Sequence, residues 1–421
     1  MLVYVINKHG NPLMPCKPRK AKMLLKNGKA KVIKRTPFTI KLLHGSSGYK
    51  QPITLGVDAG YKKVGLSATT EMQVLFEAEV ELRTDLVDLL STRREFRRAR
   101  RNRKTRYRKP RFLNRRREDG WLAPSVQNRI EAHLKAVKLV NSLLPITKII
   151  VEVAQFDIQK IKNPDIQGKE YQQGEQLGFW NVREYVLWRD NHKCRLCNGK
   201  SKDPRLNVHH LESRKTGGDA PNNLITLCET CHQEYHQGIK PLNLKRGTAF
   251  REAIFMGIMR WAFYNKLKEQ YKDVTLTYGY ITKNTRINNQ LEKSHRIDAR
   301  CISGNPTAVP QEWYYIKQVR GQNRQLHKAT ILKGGNRKAN KAPRYVHGYQ
   351  LFDKVNYQGQ DCFVFGRRTS GYFDLRLLDG TKIHSSATVK DLRLLEKANI
   401  LLIERRKGDF LPCLKTEVSI A

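Results

Sequence analysis

The sequence predicts an α/β protein of several domains, with a small cysteine-clamped insert in its middle and a β-rich end. Three observations predict it. Between residues 53 and 308, short apolar runs of strand type give way to longer helix-type runs and back again, as expected for a sheet covered by helices. Two Cys-x-x-Cys pairs, Cys194/Cys197 and Cys228/Cys231, interrupt that pattern. Beyond residue 345, short alternating runs are punctuated by turn signals at Gln358-Gly359, Ser370-Gly371 and Asp379-Gly380, as in a small β-barrel or open sheet.

Composition narrows the partners. The chain of 421 residues is long enough for two to four domains with real cores. Lys plus Arg number 80 against 38 Asp plus Glu, a formal charge of +42. That excess repels itself unless a polyanion neutralises it, so nucleic acid is the expected partner. No apolar run approaches the ~20 residues of a membrane-spanning helix, so no membrane partner is expected. The opening MLVYVINKHG does not read as a secretory signal. Outside the two pairs, Cys16, Cys301, Cys362 and Cys413 are scattered, which fits a reducing compartment better than a disulfide scaffold.

Residues 1–50 read as a separate module. It has a strand in LVYVI, a Gly/Pro-rich turn through Pro12-Leu13-Met14-Pro15, a short basic helix closed by Asn27-Gly28, and two further strands. Residues 53–82 read as a hairpin turning near Gly60, followed by a third strand. Asp58 stands inside the first apolar run. A carboxylate there is costly unless it is paired or binds metal; taken alone, it reads equally well as a turn-forming Asp.

Residues 93–117 hold fifteen Lys or Arg in 25 positions, a helix that counterion release would hold on phosphates. Residues 125–144 form an amphipathic helix with a serine cap and a stripe of Ile130, Leu134, Val137 and Val140. KIIVEVAQFDI is a buried strand with Glu152 in its middle, although alternation leaves open an exposed face for that acid. A polar linker at 163–178 leads to a helix at 181–191 and then to the cysteines. A helix over 239–265 leads out again, with Met256, Met259 and Trp261 as core. DVTLTYGYITKNTRINNQ reads as strand and loop. His295 and Asp298 are spaced i, i+3 on one helix face.

The insert carries the sharpest chemistry. Four thiolates in two Cys-x-x-Cys pairs suit a tetrahedral zinc site. Alone, they would make a zinc knuckle without catalysis. Between and after them stand His209-His210, Asn223 and His232. Phosphodiester hydrolysis needs a deprotonated water and a cation to hold the developing charge, and a histidine titrating near neutrality is a suitable base.

In this order, the residues resemble the HNH nuclease motif, a β-hairpin and helix gripping one divalent ion. The resemblance implies that His210 is the general base. His209 and His232 would hold one Mg²⁺, and Asn223 would fix the loop carrying the histidines. His236 is expected to be a solvated helix residue rather than a ligand.

The whole ordered set resembles the IscB family, transposon-encoded RNA-guided nucleases related to CRISPR type II effectors. It runs from the Pro12-Leu13-Met14-Pro15 module through Asp58, the basic helix, Glu152, the insert and His295/Asp298 to the β-rich end. The resemblance implies an RNase H-like (RuvC) core split into 51–92, 118–162 and 246–308. The HNH domain with its linker would occupy 163–245, an arginine-rich bridge helix 93–117, a PLMP module 1–50 and a target-interaction domain 309–421. Asp58, Glu152 and Asp298, with His295, would hold two Mg²⁺. Arg93, Arg94, Arg97, Arg98, Arg100, Arg101, Arg103, Lys104, Arg106 and Arg108 would contact a structured guide RNA. HNH would cut the guide-paired strand of a double-stranded DNA target, and RuvC the displaced one. The expected particle is a monomeric ribonucleoprotein in the prokaryotic cytoplasm, on the nucleoid when bound to DNA. An unguided HNH homing-type or restriction nuclease is the alternative; it explains 194–236 but gives the separated carboxylates no use.

Overall fold

The computed structural model describes residues 2–101, 121–153, 179, 181–212, 219–244, 251–322, 327–328 and 338–408. Arg103, Lys104, Arg106 and Arg108 lie outside the described residues, as do the side chains of Arg100 and Arg101 and the linker at 163–178. The chain divides into two units, Met1–Ala154 with Ile258–Ala421, and Gln155–Gly257.

The N-terminal module is a four-stranded sheet with one helix: β1 (Val3–Ile6), β2 (Pro12–Cys16), α1 (Pro18–Lys26), β3 (Ala30–Lys34) and β4 (Thr39–Leu42). Its order is β2-β1-β4-β3, closed over Val3, Val5, Leu13, Ile40 and Leu42. The tetrapeptide expected as a turn is strand β2. Prolines are tolerated there because β2 is an edge, where a missing N–H leaves no ladder bond unmade.

Next comes an antiparallel meander, β5 (Thr54–Ala59), β6 (Lys63–Thr69) and β7 (Val74–Glu81). Helix α2 (Leu86–Arg101) contains Arg93, Arg94, Arg97 and Arg98 and starts seven residues before the expected basic helix. Helix α3 (Pro124–Asn141) is capped at Ala123 with Pro124 in its first turn, not by the expected serine. The fixed φ of proline suits that first turn. Strand β8 (Lys148–Glu152) lies parallel to β5. Glu152 is its last residue rather than its middle one, and its carboxylate is mostly buried.

The second unit contains α4 (Val182–Arg189), the hairpin β9 (Leu206–His210) and β10 (Leu224–Cys228), and α5 (Glu229–His236). The Asn181 side chain caps α4 by accepting from Glu184 N at 2.9 Å.

From residue 258 the chain belongs to the first unit again. Helix α6 (Arg251–Gln270) leads to β11 (Val274–Thr277), which lies parallel to β8. The segment expected as a loop after it is helix α7 (Gly279–Asn288), followed by α8 (His295–Ser303). Helix α8 packs directly on backbone: a methyl group at Gly56 would strike the Ala299 carbonyl, and one at Gly65 the His295 carbonyl. Two glycines in adjacent strands thus set the distance between helix and sheet.

Strand β12 (Glu312–Gln318) joins β7 in parallel. The pair β13 (His327–Lys328) and β14 (Lys338–Ala339) precedes a five-stranded antiparallel sheet. That sheet comprises β15 (Lys354–Tyr357), β16 (Gln360–Arg367), β17 (Tyr372–Arg376), β18 (Lys382–Thr388) and β19 (Leu392–Glu396), ordered β18-β17-β16-β15-β19. Val355, Cys362, Val364, Phe373 and Leu375 form its core. Strand β20 (Leu401–Lys407) then returns to pair antiparallel with β12. The central sheet therefore has seven strands in the order β11-β8-β5-β6-β7-β12-β20. The boundary expected at residue 309 is corrected: β12 and β20 belong to the central sheet, and the described strands between them form two further sheets.

Candidate metal centres

The insert builds two donor clusters on its ββα frame. Its hairpin is tied to the preceding helix by one charged knot. Arg189 donates to the Pro221 and Leu224 carbonyls at 2.7 and 2.9 Å and pairs with Asp190. Asp190 accepts from Thr226 N at 2.9 Å. Burial works to raise the Asp190 pKa, but the bonds from Arg189 and Thr226 outweigh it and hold the carboxyl below its usual range.

The sulfurs of Cys194, Cys197, Cys228 and Cys231 all lie within 4.8 Å of one another. Cys197 Sγ and Cys228 Sγ are 3.8 Å apart. A tetrahedron with arms of about 2.3 Å has edges of about 3.8 Å, so the set fits Zn²⁺. The thiolates join the loop after α4 to the end of β10 and the start of α5, where Ile225 and Leu227 supply a very small core.

The second cluster is entirely imidazole. Nitrogens of His209, His232 and His236 lie within 4.8 Å of one another, and His232 Nε2 is 3.2 Å from His236 Nε2. Neighbouring donors at ~2.1 Å from one ion are spaced about 3.0–3.4 Å. His209 Nε2 is buried without a hydrogen-bond partner, an uncompensated polar atom that a cation would satisfy. Burial, reinforced by His232 and His236, pushes the His209 pKa down to about 4; burial also lowers that of His232. His209 and His232 are therefore neutral donors at pH 7. His236 is an exposed helix residue, as expected, but one turn of α5 also brings its ring beside those of His209 and His232.

Successive residues of a strand face opposite ways, so His210 does not share the environment of His209. Its Nε2 lies 2.9 Å from Asp219 Oδ1. Asn223 is fully buried; its side chain accepts from Glu212 N at 2.8 Å and donates to Glu212 O at 3.0 Å. It thereby staples the chain just after the two histidines.

The other centre lies at the carboxyl ends of β5 and β8 and on α8. Ser294 caps α8 by accepting from Ile297 N at 3.3 Å, which puts His295 and Asp298 in its first turn. His295 Nδ1 is 2.6 Å from Asp58 Oδ2. Arg260 Nη1 lies 3.4 Å from Glu152 Oε1, and its Nε donates to the Ala59 carbonyl at 2.8 Å. Arg286 Nε lies 2.9 Å from Asp298 Oδ1.

The pKa shifts show that the acids act on one another. Glu152 is raised by burial and then by Asp58, against the pull of Arg260. Asp298 is raised by burial and by Asp58, against Arg286. The hydrogen bond to Asp58 is the main reason His295 titrates above its ordinary value. Three crowded carboxylates form an electrostatic well for hard divalent cations. Their donor chemistry fits Mg²⁺, although among the described residues they do not meet within one 4.8 Å sphere.

Helix α8 is anchored from below. Glu77 on β7 is fully buried, with Arg296 Nη1 at 2.9 Å and Arg300 Nη1 at 3.7 Å. The sequence singles out neither this triad nor Arg260, Arg286 and Asp219; Glu77 and the arginines become visible only when remote segments meet.

Residues 194–238 match the HNH endonuclease family model, and residues 3–174 match that of the RRXRR protein. The insert thus carries an HNH endonuclease domain. Anaredoxin from Nostoc sp. (strain PCC 7120 / SAG 25.82 / UTEX 2576) is 33% identical over 58 residues, 14% of this chain and 74% of that protein. Streptococcus thermophilus Cas9 in complex with the AGAA PAM is similar at a TM-score of 0.32 and 13% identity, over 50% of this chain and 30% of that one. Its complex with the GGAA PAM gives 0.31 and 14% over the same shares. The chain therefore spans less than a third of those structures' length.

Proposed function

We propose that the protein is an RNA-guided double-stranded DNA endonuclease of the IscB kind, with two cutting centres. One observation carries the reading: a single chain holds both an Asn-stapled histidine centre on a ββα frame and a carboxylate centre on a mixed sheet. The five strands β7-β6-β5-β8-β11 form an antiparallel meander extended by two parallel strands, the order of an RNase H-like, RuvC-type core. An unguided HNH nuclease would have no use for the second centre.

In the HNH centre, His209, His232 and His236 would hold the divalent ion, which supplies Lewis-acid stabilisation of the charge developing on phosphate. Three nitrogens suit a first-row transition ion better than the Mg²⁺ expected from sequence, because Mg²⁺ prefers oxygen donors. His210, oriented by Asp219, takes the proton of the attacking water, and Asn223 holds the turn that places it. In the carboxylate centre, Asp58, Glu152 and Asp298 would hold Mg²⁺, while Arg260 and Arg286 keep the acids aimed before the ions arrive. His295 locks Asp58 in place.

Guide RNA is supported by the charge of +42 and by the exposed arginines at the start of the basic segment. Base pairing would supply sequence recognition, with the protein reading shape and backbone. The HNH centre is assigned to the guide-paired strand and the carboxylate centre to the displaced strand. The test is to purify the protein, sequence the RNA that accompanies it, and assay cleavage of a duplex matching that RNA before and after RNase. Matched cleavage that disappears with RNase is the expected result; cleavage indifferent to RNase overturns the reading.

A further inference from the structure

Helix α7 has two faces with different tasks. Its inner face carries buried Thr282 and, one turn on, Arg286, which pairs with Asp298. Its outer face carries Tyr280, Lys283, Asn284 and Ile287, all exposed, at the i, i+3, i+4, i+7 spacing of one stripe. Tyr280 is 66% exposed, and its ring lies nearly parallel to that of Tyr278, with centroids 6.1 Å apart and planes 12° from one another. Between the two tyrosines stands Gly279, where an added Cβ would lie 3.3 Å from Glu152 Oε1. An exposed aromatic platform therefore begins one residue from a carboxylate of the candidate cutting centre.

A large exposed aromatic beside a phosphodiester-cutting centre has an obvious occupant in a chain this basic. Single-stranded nucleic acid stacks its bases on such rings while cations hold its backbone. Tyr278 restrains the Tyr280 ring in advance, so less freedom is lost when a base covers it. Lys283, one turn further along the same face, is placed to meet a phosphate.

We propose that Tyr280, backed by Tyr278, stacks on an unpaired base of the strand cut at the carboxylate centre and so registers the scissile phosphate over Asp58, Glu152 and Asp298. This rests on the two-centre reading above. Stacking accepts any base, so the contact positions the strand without restricting its sequence, as an enzyme that leaves sequence choice to a guide requires.

The experiment uses the full chain with its RNA and a duplex labelled on each strand, with a single abasic site placed in turn at each displaced-strand position around the cut. Tyr280→Ala is expected to slow displaced-strand cutting at least tenfold and to leave paired-strand cutting unchanged. Tyr280→Phe, which keeps the ring, is expected to retain near-normal rates. One abasic position should slow the unmodified protein by a similar factor, yet add nothing to Tyr280→Ala, a coupling that a merely structural tyrosine would not show. Equal displaced-strand rates for Tyr280→Ala and the unmodified protein overturn the inference. Independent, multiplying effects of the abasic site and the substitution also overturn it. Failure of the unmodified protein to cut the displaced strand at all overturns the two-centre reading and this inference together, whereas cutting that ignores Tyr280 overturns only the inference.

Discussion

The insert takes its donors from the single stretch 194–236, whereas the sheet takes three carboxylates from positions 58, 152 and 298. The first set is sulfur and nitrogen, the second oxygen. Among the described residues the insert has two small apolar clusters, one around the cysteines and one around Tyr185, Val186 and Leu224, and small modules of this kind commonly gain folding energy from a bound metal. The central sheet is buried through β5, β6 and β7, an apolar core that contains no metal-donor cluster of the insert's kind among the described residues. Its acids are instead restrained by His295, Arg260 and Arg286. On the proposed reading, metal would build one centre, while the other would be built first and then loaded.

That contrast can be broken most severely at zinc. Cys228→Ser is expected to unfold the insert and abolish paired-strand cutting, since a structural zinc supplies ~10–16 kcal/mol in small zinc modules. Displaced-strand nicking and the far-UV spectrum of the sheet should persist; their joint loss would refute independent folding. Next in size, Asp58→Asn should lower displaced-strand cutting by about 10³-fold, as expected when a ligand of transition-state charge is removed. Strand-resolved gels should show the paired-strand cut unchanged.

His236→Ala sharpens the donor comparison. If three imidazoles share the ion, Mn²⁺ or Co²⁺ affinity by calorimetry should weaken by roughly 100-fold, the scale on which coordination-shell changes act. Added metal should then restore cutting. Asp219→Asn should slow paired-strand cutting by roughly tenfold while leaving metal affinity unchanged; a drop in affinity would place Asp219 in the ion's shell instead.

The smallest effect concerns stability. The Asp190 pKa is depressed in the folded protein, so its contribution is fully present above the unfolded carboxyl value near 3.9. It is lost as pH falls through the lower folded value. Asp190→Asn is therefore expected to cost the insert ~1.5–3 kcal/mol at pH 7, the worth of hydrogen bonds to a charged group. The deficit should shrink below pH 4. A deficit that grows with acid would contradict the assigned bonds.

How far the sequence reveals these centres follows from the same contrast. The four cysteines, His209-His210, Asn223 and His232 are local, and one hairpin, its helix and the loop just before it bring them together. Asp58, Glu152 and Asp298 were legible only as acids in unexpected places. Nothing in KIIVEVAQFDI says that β8 stops at Glu152, since Val153 is as apolar as what precedes it. Helix α7 read as a loop because Gly279, Thr282, Asn284 and Thr285 are weak helix formers; buried Thr282 and the Arg286–Asp298 pair fix its inner face nonetheless. The prolines of β2 read as a turn because edge position cannot be seen without the sheet. Buried Glu77 and its arginines belong to segments more than two hundred residues apart.

The most direct measurement is strand-resolved cleavage of a guide-matched duplex by the RNA-loaded protein and two single variants. The account predicts that His210→Ala nicks only the displaced strand and Asp58→Ala only the paired strand. Loss of both cuts in either variant would show that the two centres are not separate, and the account would fall.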